Sequence, residues 1–500
     1  MAVERMGIPL TSQLAIRDRA MPTSSSDGYL YNAYVDKDAN GQLYVKKRPA
    51  LVSAYAPSVS TPYGLMWWNR TSNLLHVWGT TLYYGTATSL GTLTSNAGRV
   101  SFCEYGYGAT NGDYVYILTN GPTSGQLWRA WYTGPTLAAV GGFGLSNIVP
   151  GLVAIDGYML VCSVSGGLYN SNLGDPTTWV GSNIIYAGQK SDTAVYLASH
   201  HNHAVIMGKS SIEFFYNAGI ATGSPFQRRS DVFINTGCHH PDSVAQDEDK
   251  IFFIAKSDNS DPYVAVLDNF QVRRISTAEI DRKLHKYYVD YTSDTCVGTI
   301  LQSGGKRFYV LSIVVDTSDT ADGTLKTFVY DIDLGIWAVW AGAQDAHLKI
   351  TGTAFPTRPD YGQSASLTWT KGSYVQADLT YKAIYYPATE VYQDSISGST
   401  SNFTVEVVTP KVLGPAGYGH RRKFLSELNL TGKRTSGTVD ISYSDDDYAS
   451  WTSAGSLQVN AEKKLSGLGS FYERAFKITA TTNEDLRIAE LEAAMEYGRR

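Results

Sequence analysis

Apolar residues alternate with polar ones in short runs along this chain, and each run ends in a cluster of Gly, Ser, Asp or Asn before a second run begins. Six such pairs stand out: LLHVWGTTLYYG (74–85), YVYILTNGPTSGQLWRAWY (114–132), GYMLVCSVSGGLYNS (157–171), HAVIMGKSSIEFFYNAG (203–219), KIFFIAKSDNSDPYVAVLD (250–268) and RFYVLSIVVDTSDTADGTLKTFVYDID (307–333). A period of two turns one face of each run toward a core, and the polar turn between runs predicts a hairpin. Helical spacing of apolar residues occurs only in short runs at 276–289 and 483–495, and the second of these also alternates. The chain is therefore predicted to be all-β.

Aligned on the second strand of each hairpin, the anchors are Tyr84, Trp128, Tyr169, Phe214, Val264, Val329 and, more faintly, Tyr374. They lie 44, 41, 45, 50, 65 and 45 residues apart. A strand-built recurrence of about 40–50 residues is the spacing of propeller blades, four-stranded sheets that bury their faces against neighbours. The long interval fits one blade whose hairpin is extended by DTSDTADG (316–323). The pattern predicts a β-propeller of six or seven blades over residues 56–383, with a sandwich of similar strand number as the alternative topology. Residues 1–55 read as a polar N-terminal arm containing TSSSDG and a first hairpin around DANG. Residues 384–500, with the alternating runs FTVEVVTP, FLSELNL, GTVDISYS and ERAFKITA, predict a separate C-terminal β-sandwich-like unit.

Composition narrows the function classes. Charged residues are 17% of the chain, against 47 Gly and 35 Tyr, a bias toward strands and tight turns. A formal charge of -5 argues against a polyanion-binding surface, which needs clustered Lys and Arg, so any contact with DNA is expected to be loose. Cys103, Cys162, Cys238 and Cys296 form no CxxC pair and read as separate reduced core residues. No apolar leader and no stretch of about 18 apolar residues occurs, so the expectation is a chain made in a cytoplasm without membrane insertion. The sequons at Asn69, Asn402 and Asn429 carry no weight in that setting.

Four features could carry chemistry. SDDDYASW (444–451) resembles the Asp-box S-x-D-x-G-x-[ST]-W of sialidase-like propellers: Ser444, Asp446, Ser450 and Trp451 hold the offsets, while Tyr448 replaces the turn Gly. In that motif Ser and Asp bond turn amides and Trp covers the hairpin, so these residues are expected to build a corner. A glycosidase would need paired carboxylates about 5–10 Å apart with one raised pKa, and no pair has that signature. His200, His201 and His203, with His239 and His240, are the metal candidates, but strand alternation puts His200 opposite the other two, and no cofactor is expected. The basic runs Lys46 to Arg48, Arg228–Arg229, Arg273–Arg274, His420 to Lys423 and Arg499–Arg500 read as solvated loops or rim charges. Asp445 to Asp447 and DTSDTADG read as exposed turns lacking a calcium-loop register. Neither a G-x-S-x-G elbow nor a P-loop is present.

The segment NAYVDKDANGQLYVKKRPAL, with Asn32, Tyr34, Arg48 and Pro49, resembles the opening signature of tail hub or nozzle proteins of short-tailed bacteriophages, the packaged-DNA stabilisation or tail-accessory family. Ala50 stands where that family usually has Gly. Further matches follow in order: GYMLVCS, the blade around Ile212, Glu213 and Phe214, GCHHPDSVA, and FVYDIDLGIWAVW with Asp331 and Trp337. The resemblance covers most of residues 28–380. It implies a non-enzymatic virion protein of the tail, assembled in the host cytoplasm as a homohexameric ring, that extends the portal and adaptor channel and retains packaged DNA. It also implies contact with a head–tail adaptor and with fibre, needle or tailspike proteins, and loose passage of double-stranded DNA. The alternative is a glycan-binding or glycan-hydrolysing tailspike or sialidase-like protein.

Overall fold

The structure is a computed structural model and describes residues 4–10, 28–56, 60–86, 88–94, 96–106, 114–119, 125–131, 135–286, 296–313, 326–342, 348–356, 371, 373–378, 382–396, 398–412, 421–461 and 464–498. The TSSSDG arm up to Asp27, the DTSDTADG loop, His420 and the terminal Arg499–Arg500 lie outside them.

Each predicted hairpin forms the middle of an antiparallel four-stranded blade. Blade 1 runs Pro62–Trp68, Asn73–Trp78, Thr81–Tyr84 and Thr88–Thr92, blade 2 Ser101–Tyr105, Tyr114–Leu118, Leu127–Trp131 and Thr136–Ala139. Blade 3 runs Val153–Ile155, Tyr158–Cys162, Gly167–Asn172 and Asp175–Tyr186, blade 4 Ala194–His200, His203–Gly208, Ile212–Asn217 and Phe226–Ile234. Blade 5 has a split inner strand, Gly237–Cys238 and Ala245–Asp247, then Lys250–Lys256, Tyr263–Asp268 and Gln271–Arg274. After helix Ala278–Lys286, whose Ile280 and Leu284 are buried, blade 6 runs Cys296–Ser303, Lys306–Ile313, Lys326–Asp331 and Ile336–Trp340. Blade 7 has Lys349–Ala354, Tyr374–Asp378 and Lys382–Ala388, and takes its fourth strand, Ala50–Tyr55, from the start of the chain.

Apolar layers between adjacent blades hold the ring together. One lies between blades 1 and 2 (Trp68, Val77, Val115, Trp128), another between blades 4 and 5 (Val205, Phe214, Phe253, Ala265). The ring closes where Lys349–Ala354 adjoins the inner strands of both blade 6 and blade 1. There buried Gln376 accepts from Gly64 N at 3.0 Å and donates to Val77 O at 2.9 Å. Inner strands converge near the axis, so a side chain can be too large. At Gly298 a Cβ would meet Ser243 O at 2.0 Å, across the seam of blades 5 and 6.

Six of the aligned anchors, Tyr84 to Val329, occupy the third strand of their blades, but Tyr374 lies on the second. The third strand of blade 7 is Lys382–Ala388, farther along the chain than a 45-residue spacing reaches, so the alignment lands one strand early. The borrowed strand redraws the expected boundary at 55, and Lys382–Ala388 carries the propeller past 383. Ala50–Tyr55 is propeller, while Ala33–Lys37 pairs with Leu43–Lys47, which pairs in turn with Arg487–Tyr497.

Asp394–Ile396 and Ser399–Ser401 extend the blade 7 sheet beyond Ala50–Tyr55, and the other strands form two facing sheets. One holds Glu4–Ile8, Ala33–Lys37, Leu43–Lys47, Arg487–Tyr497, Lys423–Gly432, Leu465–Ser466 and Ser470–Phe471. The other, Leu30–Tyr31, Val405–Val408, Ala475–Ala480, Val439–Ser444 and Thr452–Leu457, is continuous with blade 6 through Leu30–Tyr31. Their shared core (Val407, Ile441, Ile478, Leu428, Leu491, Met495) runs on without a break into Phe308 and Val310 of blade 6 and Val375 and Tyr385 of blade 7. From Arg487 on, the 483–495 run is part of the strand Arg487–Tyr497, its alternation prevailing over its helical spacing because one face meets this core. The 276–289 run does contain the helix.

Cys162, Cys238 and Cys296 are buried free thiols, and Cys103 is a half-buried one. His76, fully buried in blade 1, contacts Gly85 O through Nε2 at 2.8 Å and receives the Trp78 indole N–H on Nδ1 at 2.9 Å. That arrangement uses the neutral ring, and burial pushes its pKa down to about 4. The unfolded ring titrates near 6.5, so as pH falls between these values the unfolded chain binds the proton first and stability drops, by up to about 3 kcal/mol. Denaturant unfolding followed from neutral pH down to about pH 4 should show this decline, and His76→Gln should flatten it.

Candidate functional site

The signature residues Asn32, Tyr34, Arg48 and Pro49, spread over a hairpin in sequence, meet where the propeller joins the sandwich. The Ala33–Lys37 and Leu43–Lys47 strands pair with Ala33 opposite Lys47, which brings the residues just before and just after the hairpin together, and Arg48 N donates to Asn32 O at 2.9 Å. Asn32 has φ 51°, a left-handed conformation that Asn tolerates. Its amide serves three segments: Oδ1 accepts from Arg48 Nε (3.1 Å) and Ala341 N (2.8 Å), and Nδ2 donates to Thr404 O (2.8 Å).

Arg48 is 1% exposed and pairs in a fork with Asp394, also 1% exposed, at 2.9 and 2.6 Å. The guanidinium donates further to Ala341 O and Pro49 O, and lies 3.7 Å from the centroid of the Phe403 ring. The carboxylate also accepts from Leu51 N at 2.9 Å. Every polar atom of this pair thus meets a partner, the condition under which a buried ion pair is tolerated. Tyr34 packs edge-on against Phe308 at 5.6 Å, and the Trp340 indole donates to Ala33 O at 3.1 Å, so blade 6 is held from both sides. Ala50, in the place where Gly was expected, is buried and extended opposite Ala388; a paired strand position has no need of glycine.

Lys47 corrects the solvated reading of the basic runs. Its ammonium is buried over Phe403 at 4.2 Å and donates to Tyr392 O (2.6 Å) and Thr482 O (2.8 Å). Lys423 is likewise buried and donates to Arg421 O and Tyr472 O. In both cases backbone carbonyls replace water. Burial first, and the neighbouring Arg48 charge second, push the Lys47 pKa from 10.5 down to about 8. Between those values the unfolded chain holds the extra proton, so stability should rise as pH climbs from about 8 to about 10. Lys47→Met should abolish that rise in denaturant midpoints.

The other predicted residues stay in separate places. Ile212 and Phe214 are core residues of blade 4, and buried Glu213 between them accepts from Gln189 N (3.0 Å) and Arg228 (3.3 Å). Asp331 ends the third strand of blade 6 and caps its turn by accepting from Asp333 N and Leu334 N, with burial raising its pKa. The Trp337 indole donates to Ile275 O at 2.8 Å, bridging to blade 5. All are structural ties.

Ser444 to Trp451 connects Val439–Ser444 with Thr452–Leu457. Asp446 accepts from Ser444 Oγ (2.8 Å), Ser450 N (2.9 Å) and the Ser450 hydroxyl, and Ser444 Oγ accepts from Tyr448 N (3.0 Å). These donors, the Ser450 hydroxyl foremost, hold the Asp446 carboxyl down at about 2. A general acid needs the opposite shift. Asp447 and Tyr448 take left-handed φ of 60° and 66°, so Tyr448 adopts the conformation a Gly would. A pocket of about 200 Å³ beside the corner is lined by Lys411, Asp447, Tyr448, Glu473 and Arg474. Its two cations are already engaged: Lys411 lies 2.5 Å from Asp447 and 3.4 Å from Glu473, and Arg474 forks onto Asp445 at 2.7 Å.

His200 bonds Asp249 O through Nδ1 and accepts from Phe270 N on Nε2 at 3.1 Å, which leaves no nitrogen for a metal. His201 faces Asp249, and His240 caps the turn at Asp242 N. Among the described residues no group of three His, Cys, Asp or Glu is placed to hold a metal ion, and no helix is long and apolar enough to cross a membrane. Sequence reasoning missed Asp394 and Phe403 and took Lys47 for a solvated charge. Asp394 lies 346 residues from its partner, and no local pattern marks it.

A family profile described as "Bacteriophage P22 Gp10, beta-propeller" matches residues 32–313, more than half of the chain. The chain belongs to that family. The P22 Gp10 β-propeller family is one of phage tail stabilisation, so this member is a structural tail protein and a component of the virion. The match begins at Asn32, inside the joint, and covers blades 1 to 5 and the first two strands of blade 6. Among curated proteins none matches the sequence. Solved structures with partial likeness include BBS1N in complex with ARL6DN (11% identity, TM-score 0.38, covering 68% of this chain and 96% of that one). RRP9 WD40 repeats (11%, 0.36, 67% and 99%) and the computationally designed Ika8 protein (11%, 0.35, 67% and 98%) are similar to the same degree.

Proposed function

We propose that this family member is the tail nozzle or hub subunit, six copies of which extend the portal and adaptor channel, retain packaged DNA and release it at ejection. The observation that carries the reading is the family match over residues 32–313, which takes in blades 1 to 5. Two physical features support it. A propeller and sandwich sharing one uninterrupted core make a stiff wall element, as a channel under internal DNA pressure requires. The net charge of -5 suits a conduit, because each cationic phosphate contact adds affinity that retards sliding. In this reading the subunit meets the head–tail adaptor above and fibre, needle or tailspike proteins at its rim.

The test is a phage carrying a nonsense mutation in this chain. Particles made without it should package DNA and then lose it, giving empty heads on a density gradient, and added purified protein should restore filled particles. Filled, stable heads made without the chain would refute DNA retention.

A further inference from the structure

We propose that residues 28–55 are a closing strap that shuts the propeller and the sandwich in a single step, so that neither unit opens without the other. This inference rests on strand order and does not depend on the role in the tail.

Three strap strands occupy interior positions in three different sheets. Leu30–Tyr31 lies between Ile336–Trp340 of blade 6 and Val405–Val408 of the sandwich. Leu43–Lys47 lies between Ala33–Lys37 and Arg487–Tyr497. Ala50–Tyr55 lies between Lys382–Ala388 of blade 7 and Asp394–Ile396. Withdrawing the strap would bare backbone edges on blade 6, blade 7 and both sandwich sheets at once, and buried edges without partners are strongly disfavoured.

The strap cannot let go of one side alone. Only Arg48 and Pro49 separate Lys47, on a sandwich strand, from Ala50, on a propeller strand. Arg48 holds Asp394 and Ala341 O, Lys47 holds Tyr392 O and Thr482 O, and Asn32 holds Ala341 N and Thr404 O. Two residues cannot span a gap opened on either side. Blades 2, 3 and 4, by contrast, complete their sheets from contiguous sequence and need nothing from the strap. The chain is thus expected to have at least two cooperative units, local blades and a strap-dependent unit made of its two ends.

Native-state hydrogen exchange on the full-length protein across sub-denaturing urea tests this. Amides of Ala50–Tyr55, Lys382–Ala388 and Val405–Val408 should merge onto one opening isotherm, distinct from that of blades 2 to 4. Arg48→Met should speed exchange in all three segments together by at least about tenfold while leaving blades 2 to 4 unchanged. Should that variant fail to fold, the wild-type isotherms decide alone. Exchange of Lys382–Ala388 at a denaturant concentration where Val405–Val408 stays protected, or the reverse, overturns the proposal.

Discussion

Asp394→Asn is expected to destabilise the protein by about 3–5 kcal/mol, the usual loss when one partner of a buried ion pair is removed. The substitution keeps shape and volume but leaves the Arg48 guanidinium charged at 1% exposure, with only carbonyls and the Phe403 face around it. It also weakens the acceptor for Leu51 N. The loss should appear as a lower urea midpoint at unchanged slope. The pair itself contributes less than this number suggests, since removing both charges also removes both desolvation costs. Arg48→Met combined with Asp394→Leu should therefore regain much of the stability. Equal loss in the double variant would mean that the hydrogen bonds from Arg48 to Ala341 O and Pro49 O dominate.

Gly151→Ala is expected to cost about 2–5 kcal/mol, from backbone strain and overpacking together. Gly151 has φ 110°, outside the range of L side chains, and a Cβ there would lie 1.9 Å from Leu197 O and 2.8 Å from Leu197 C. The obstacle is backbone, and that backbone is fixed: Leu197 N donates to Pro150 O at 2.9 Å, and Gly151 N donates to Ser101 Oγ at 2.9 Å. Blades 2, 3 and 4 meet at this point, so relief would require opening a seam. Thermal unfolding of the variant should begin there, with early exchange in Val153–Ile155 and Ala194–His200. A variant as stable as the wild type would contradict the tight blade convergence near the axis.

Much of the propeller was legible because a hairpin writes both strands and its turn within about twenty consecutive residues, as in 203–219, where left-handed His201 and Asn202 turn the chain just before Ala204 to Met207 and Ile212 to Phe215 fill the core. What was illegible depends on partners far apart in the chain. Ala50–Tyr55 is an ordinary apolar run, and nothing in it names Lys382–Ala388 as its neighbour. Lys47 and Arg48 looked like solvated charge because their acceptors are carbonyls at 341, 392 and 482, and carbonyls leave no mark in a sequence. Asn32 and Arg48 could be singled out by family resemblance, whereas their joint role as a tie between two units required the fold.

The most direct measurement of the central claim is a cryo-electron microscopy map of the virion tail into which this structure is fitted. Six copies are expected around the tail axis, below the adaptor, each with propeller and sandwich in one fixed relation and with DNA-width density through the centre. Copies found only as peripheral trimers, or a propeller and sandwich fitting separately at variable angles, would contradict it.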